Sequence, residues 1–329
     1  MASGQRILVT GASGFVGRYL LRELAESRPD WVVNGWYLGE ELQVPTSVRW
    51  TAVDLQSPEA VAASVCDAAP THVVHLAAAA DVGGSFANPR LTWSVNVMGT
   101  LNLLEALREH APDASLLLVS SSEVYGDAFN AGIPLDEMAP VSPQNPYAAS
   151  KVAAELLART YAKRGLKLAV ARPFNHIGPG QSEHFAVSAF ARQLARIEAG
   201  LQAPELHVGN LDAQRDFTDV RDIVRGYLAL ASTSDQWESG LTVNFCSGNS
   251  RRIGDVLDEL IALSGIDVQV VQDPARLRPS DVPLAAGDAE RARALLGWAP
   301  AVPWQETLAS ILADWRERAS SLRAASGRH

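Results

Sequence analysis

The chain has 329 residues, 47% of them hydrophobic and 20% charged, ordinary for a globular protein and enough to bury a large core. A formal net charge of -9 disfavours nucleic acid and anionic membranes as partners, so an anionic ligand would need a local basic patch. Two distant cysteines, Cys66 and Cys246, argue against a disulfide framework or zinc site and fit a reducing cytoplasm, and no apolar signal region or run near the roughly 18 residues of a membrane span is present.

In chain order, residues 7–10 form a short apolar run ending in glycine, followed by a helical pattern over 15–26. Further strands are predicted at 32–33, 50–53, 72–76, 116–120 and 168–171, with helices at 59–68, 91–109 and 147–163. Apolar strands alternating with helices predict a parallel sheet covered on both faces. Residues 173–181 are rich in Pro, Gly and Asn and read as a loop. Helices are expected at 186–200, 220–231, 253–264, 288–296 and 304–320, with 241–245 a strand returning to the first sheet. The expected fold class is α/β, a Rossmann doubly wound parallel sheet with a smaller interleaved C-terminal α/β lobe. Residues 1–172 with about 210–248 would form the sheet domain, about 173–209 with 249–320 the lobe, and 321–329 a frayed tail.

Gly11-Ala12-Ser13-Gly14-Phe15-Val16-Gly17 is a GxxGxxG turn between the first strand and the first helix. Glycines there let backbone NH groups approach a pyrophosphate, and the helix start stabilises its charge. A plain tight turn is the alternative; the place after the first strand of an alternating chain favours phosphate. Asp54 closes the third strand and reads as a contact for an adenine edge, or else as a helix cap. His75 reads as a packed strand residue, and Leu76, Ala77 and Ala78 leave room for a cofactor to pass the sheet edge. At the end of the second strand Trp36-Tyr37-Leu38 offers neither acid nor arginine, and Glu40 and Glu41 come late, so the choice between NAD and NADP stays open.

Tyr147-Ala148-Ala149-Ser150-Lys151 is a YxxxK motif that puts a phenol and an ammonium one turn apart on a helix. A tyrosine pKa of about 10 is high for proton exchange at neutral pH, and Lys151 is expected to lower it. Ser120-Ser121-Ser122-Glu123 follows the fifth strand, where the Ser121 hydroxyl could hold a substrate oxygen while Tyr147 moves the proton. The bland readings are a surface i,i+4 pair and a serine turn.

Together the segments TGASGFVG (10–17), SSSEVYG (120–126), PYAASK (146–151), ARPFNHIGPGQ (171–181), RDFTDVRDIV (215–224) and RLRPSD (276–281) resemble the extended short-chain dehydrogenase/reductase family over essentially the whole chain. The resemblance implies Ser121, Tyr147 and Lys151 as the catalytic set, with Asn96 the helix asparagine near the site. It implies a dinucleotide site, for NADP(H) or NAD(H), made of the glycine turn with Ser13, Phe15, Val16, Asp54, Leu55, Leu76, Ala77, Ala78, Asn96, Ser120, Tyr147, Lys151 and Pro173. The second-half motifs look like the nucleotide-sugar branch, in which Asn175, Arg215 and Arg278 would contact a diphosphate and Ser85, Ser122 and Val187 would also face the substrate. Two guanidiniums suit a diphosphate through bidentate, charge-assisted bonds. The alternative for Arg215 is a salt bridge to Asp216 or Asp219. His176 and His184 lack metal-ligand spacing and read as loop residues, and no metal is expected.

Residues 207–224 and 271–283 are similar to the GDP-4-keto-6-deoxy-mannose 4-reductases, whose nearest relatives are the GDP-mannose 4,6-dehydratases. The dehydratases carry a basic pair where this chain has Gly180-Gln181-Ser182, which favours a reductase. Glu123 stands where dehydratases keep their C5 base, which argues the other way. The resemblance thus implies a 4-ketoreductase acting on a nucleotide-diphosphate sugar, GDP-linked, with a dehydratase using Glu123, an epimerase and a non-enzymatic dinucleotide binder as alternatives. A homodimer through the 91–109 and 147–163 helices and a cytoplasmic location are also expected.

Overall fold

Strands apolar on both sides need cover on both sides, and consecutive residues of the first sheet go to different cores. The computed structural model describes residues 4–39, 47–238, 240–276 and 282–326. Among these, β1 (Arg6–Thr10), β2 (Val32–Tyr37), β3 (Val48–Ala52), β4 (His72–His75), β5 (Ser115–Val119) and β6 (Lys167–Pro173) are followed by seven further strands. They are β7 (Asn175–Ile177), β8 (Glu205–Val208), β9 (Gln214–Asp219), β10 (Leu241–Phe245) and β11 (Ser250–Arg252), and then come β12 (Gln269–Gln272) and β13 (Leu284–Ala285). The main sheet has the order β10-β6-β5-β4-β1-β2-β3 with every pairing parallel. Ile7 and Val9 enter one core with Val74, Leu117 and Ala171, whereas Leu8 enters the other with Val73, Leu116 and Val170. Side chains alternate along a strand, so a run such as Ile-Leu-Val feeds both layers at once.

The helices are α1 (Phe15–Ser27), α2 (Pro58–Ala68), α3 (Val82–Ala87), α4 (Pro89–Trp93), α5 (Gly99–His110), α6 (Pro146–Ala162), α7 (Ala186–Glu198), α8 (Val220–Ser232), α9 (Ile253–Ser264), α10 (Glu290–Leu296) and α11 (Trp304–Ser326). Leu20, Leu21 and Leu24 of α1 and Ile223, Val224 and Tyr227 of α8 fill the first core. Leu103, Leu104 and Leu107 of α5, with Val61 and Val65 of α2 and Ala158 of α6, fill the second. A third core joins Phe190 and Leu194 of α7 to Leu257 and Leu260 of α9 and to Leu308, Ile311 and Leu312 of α11. It lies with the sheet β11-β9-β13, which β7 extends, and the pair β12-β8.

Between β1 and β4 the strand order reverses, and this opens a crevice at the carboxyl ends of the strands.

The structure changes several expectations. The expected loop over 173–181 contains β7, because Asn175 and Ile177 pair with Phe217 and Asp219 of β9 and the backbone finds partners there. The last helix, expected to end at 320, runs to Ser326. Leu-Arg-Ala-Ala is a good helix-forming stretch, and an i,i+4 pair between Arg318 and Asp314 (2.8 Å) supports the turn before it. The expected helix over 91–109 starts at Pro89, capped by Asn88, and widens into a π turn at Ser94–Met98 before α5.

Candidate active site

A cleft of about 780 Å³ lies at the crevice, and the glycine turn forms one wall. Gly11 has φ 66°, and a Cβ there would lie 2.8 Å from the backbone of Ala77. A Cβ at Gly17 would lie 2.4 Å from the Gly11 carbonyl oxygen. Only glycine lets the turn, β4 and the start of α1 close up this far. Gly14 caps α1 with no side-chain hydrogen bond, and no acid occupies the first turn. The positive end of α1 therefore faces the cleft uncompensated, and it fits a pyrophosphate. Ser13, Phe15 and Val16 line the same wall.

Asp54, Leu55, Leu76, Ala77 and Ala78 line the cleft beyond the turn. Asp54 Oδ1 accepts from the Gln56 amide at 2.9 Å, while α2 is capped by Ser57, whose Oγ accepts from the Ala60 amide at 3.3 Å. The helix-cap reading of Asp54 is thereby set aside. His75 is buried, with Nδ1 2.7 Å from Thr10 Oγ1 and Nε2 3.1 Å from Thr100 Oγ1. Burial, aided by the Lys151 charge, pushes it down to about 3, so it packs as a neutral strand residue.

α6 brings the chemistry to the cleft. Asn145 caps it by accepting from the Ala148 amide at 2.8 Å, and Pro146 opens its first turn. Tyr147 and Lys151 then face the cleft with Ser121, whose hydroxyl lies near enough to the Tyr147 phenol to lower its pKa. Lys151 Nζ donates to the Val119 carbonyl at 2.9 Å and lies 5.9 Å from the centre of the Tyr147 ring. Burial pushes the phenol up to about 12; Ser121 pulls it down and the Glu123 charge adds to the rise. Burial also pushes Lys151 down to about 8, against the pull of Glu155. The net lowering of the Tyr147 pKa expected from Lys151 is not seen: desolvation outweighs it, and the ammonium is also engaged by a backbone carbonyl.

Glu123 and Ser122 line the cleft, as do Ser120, Pro173, Asn175, Val187 and Arg215. Glu123 Oε2 accepts from Asn145 Nδ2 at 3.1 Å, which ties the carboxylate to the residue that starts α6. Arg215 Nη1 donates to the carbonyls of Gln214 and Val282, both at 2.8 Å. The carboxylates considered as its partners are occupied otherwise. Asp219 pairs with Arg221 at 2.9 Å, and Asp216 accepts from Ser247 N and Oγ and from Gly248 N.

Two expected residues are absent from the cleft wall. Ser85 is fully buried in α3, its hydroxyl donating to the Val82 carbonyl at 2.7 Å. Asn96 sits in the π turn and braces the site from behind. Its Oδ1 accepts from the Ala79 amide at 2.8 Å, and its Nδ2 donates to the Ala79 carbonyl (3.2 Å) and Ser150 Oγ (2.9 Å). Arg278 lies outside the described residues.

Other lining residues were not foreseen. His176 and His184, expected as plain loop residues, both face the cleft. His176 Nδ1 is 3.1 Å from the Phe174 carbonyl, its ring lies parallel to Phe15, and burial lowers its pKa. Arg276 opens the same Arg-Leu-Arg run as Arg278, a basic signal that was legible. Tyr227, in mid-helix, carried no such signal.

The sequence model of the family described as GDP-mannose 4,6 dehydratase matches residues 8–311. The chain belongs to this family. Within and around it, GDP-6-deoxy-D-mannose reductase of Pseudomonas aeruginosa is 38% identical over 315 residues, 95% of this chain and 98% of that protein. A GDP-mannose 4,6-dehydratase of Vibrio cholerae is 31% identical over 273 residues, 74% of this chain and 73% of its own. The structure of RMD from Pseudomonas aeruginosa complexed with NADPH matches with a TM-score of 0.84 at 37% identity, covering 95% of this chain and 99% of that one. UDP-glucose 4-epimerase of Thermus thermophilus in complex with NAD matches with a TM-score of 0.84 at 29% identity, covering 95% and 99%. The α/β Rossmann fold and the extended short-chain dehydrogenase/reductase membership expected from the motifs both hold for this GDP-mannose dehydratase family chain.

Proposed function

We propose that the chain is an NAD(P)H-dependent reductase that converts the C4 ketone of GDP-4-keto-6-deoxy-mannose to the alcohol of GDP-6-deoxy-mannose (GDP-rhamnose). The carrying observation is the Tyr147 phenol, buried in the cleft that the glycine turn also lines, with Ser121 beside it and pushed up to about 12, so that it holds a proton to give. The near-full-length similarity to a GDP-6-deoxy-D-mannose reductase supports the substrate, and the dehydratase of Vibrio cholerae matches a smaller share of the chain.

When bound, the reduced dinucleotide supplies the hydride. The turn at Gly11, Ser13, Gly14 and Gly17 would hold its pyrophosphate, Asp54 and Leu55 its adenine end, and Lys151 with Pro173 its reacting end. Tyr147 gives its phenolic proton to the C4 oxygen as negative charge grows there. Ser121 hydrogen-bonds that oxygen, and Lys151 favours the phenolate left on Tyr147. Arg215, Arg276 and Asn175 suit the diphosphate of a nucleotide sugar, with Val187 beside the nucleotide; Arg278 joins them by resemblance alone. In this reading residues 1–172 with about 210–248 carry the dinucleotide and about 173–209 with 249–320 form a substrate lobe. The chain works as a cytoplasmic homodimer; no helix among the described residues is long and apolar enough to cross a membrane.

Glu123 in the cleft wall favours a second reading, a GDP-mannose 4,6-dehydratase with Glu123 as base. Incubation with GDP-mannose alone, then with GDP-4-keto-6-deoxy-mannose plus NADPH or NADH, separates the two. Cofactor consumption is expected only in the second mixture. Conversion of GDP-mannose without net cofactor use would replace the reductase reading by the dehydratase.

A further inference from the structure

Two hydroxyls in the cleft have no hydrogen-bond partner among the described residues. Ser120 Oγ and Tyr227 Oη belong to side chains 3% and 0% exposed, both line the cleft, and neither makes a hydrogen bond among the described residues. Ser120 immediately precedes Ser121, and Tyr227 lies near enough to Tyr147 to feel its charge. Tyr227 comes from α8, under the sheet, with its ring packed edge-on against Phe245 at 5.5 Å. Phe245 ends β10 opposite Pro173 of β6, so the ring is held by the core and only its hydroxyl serves the cleft.

A buried phenol without a partner is costly, and phenylalanine would fill the same core without that cost. Burial holds this phenol well above its ordinary pKa, so it stays a neutral donor and acceptor. It lines the cleft within electrostatic reach of Tyr147, the residue at the reacting end. A nicotinamide carries one polar substituent on its ring, a carboxamide with an acceptor oxygen and two donor hydrogens. Two neutral hydroxyls, each able to give and take a hydrogen bond, match that group.

We propose that Tyr227 Oη, together with Ser120 Oγ, binds the carboxamide of the nicotinamide ring and so fixes the ring's rotation against Tyr147. This rests on the reading that the cleft takes a nicotinamide dinucleotide, and the test separates the two. Calorimetry would compare NADPH with its nicotinamide-free fragment, 2′-phospho-ADP-ribose (or NADH with ADP-ribose if the wild type prefers it), on wild type, Tyr227→Phe and Ser120→Ala. Melting of the three proteins without ligand would be recorded alongside. Tyr227→Phe should weaken the dinucleotide about 10-fold and leave the fragment unchanged, with a melting temperature equal to or above wild type. Ser120→Ala should show a smaller loss of the same selectivity. Dinucleotide affinity equal to wild type in Tyr227→Phe overturns the anchor while leaving the dinucleotide reading intact. Equal losses for dinucleotide and fragment, or a lowered melting temperature, also overturn it, because they mark a structural role. A wild type that binds no dinucleotide removes both.

Discussion

Burial pushes the Tyr147 phenol up to about 12, so at neutral pH it carries the proton that a ketone reduction consumes. Tyr147→Phe should lower kcat by about 10²–10⁴-fold while the dissociation constant for the dinucleotide stays near wild type; turnover at the wild-type rate would reject the assigned acid. Lys151 adds a pH dependence whose sign follows from its depressed pKa. Below about 8 the amine carries its charge and stabilises the phenolate formed on Tyr147; as pH rises through about 8 that charge is lost and kcat for reduction should fall. Glu155, one turn further along α6 and paired with Arg172 at 2.7 Å, holds the Lys151 charge in place. Glu155→Gln should therefore move the alkaline limb of the kcat profile to lower pH, whereas an unmoved limb, or one moved to higher pH, would show that this carboxylate does not tune the amine. Glu123 is the residue on which reductase and dehydratase part. Glu123→Gln should cost a reductase only several-fold in kcat, since an amide oxygen can still accept from Asn145, whereas a dehydratase would lose its base.

α6 is the element that turns sequence into geometry here. Asn145 caps its start and reaches Glu123, and Ser150 Oγ donates to the Tyr147 carbonyl at 2.7 Å while accepting from Asn96. Asn145→Ala should destabilise the chain by about 1 kcal/mol and lower kcat with little effect on dinucleotide affinity. Denaturant unfolding and a dinucleotide titration check the two halves; a loss of dinucleotide affinity with kcat intact would place the cap's role elsewhere. Elements with a local pattern were legible in the sequence. The strand at Ile7–Val9, the glycine turn and the Tyr147–Lys151 spacing each declare themselves within a few residues. β7, β9 and β13 did not, because their partners are distant in the chain: Asn175 meets Phe217, and Leu284 meets Gln214. Nothing local marks the π turn that aims Asn96 at Ala79 and Ser150 instead of at the cleft. Tyr227 was invisible for the opposite reason, since an aromatic in mid-helix reads as core and most of its ring is.

At the scale of the molecule, the outer side of the Asn96 and Tyr147 helices remains to be accounted for. Leu91 and Trp93 of α4, Met98 at the end of the π turn and Leu156 of α6 are all exposed, and α4 lies directly against α6. Large apolar side chains gathered on neighbouring helices mark an association surface more often than a solvent face. Each chain carries a net charge of -9, so two copies repel at long range and can associate only where an apolar face excludes water at close range. Salt should then strengthen association, because it screens the repulsion and leaves the apolar contact in place. Light scattering on the wild type should give twice the chain mass, and the double variant Met98→Asp, Leu156→Glu should give a single chain mass that still melts cooperatively, at a temperature lowered by loss of the partner. A wild-type mass of one chain, or a double variant that stays paired, would remove α4–α6 as the interface.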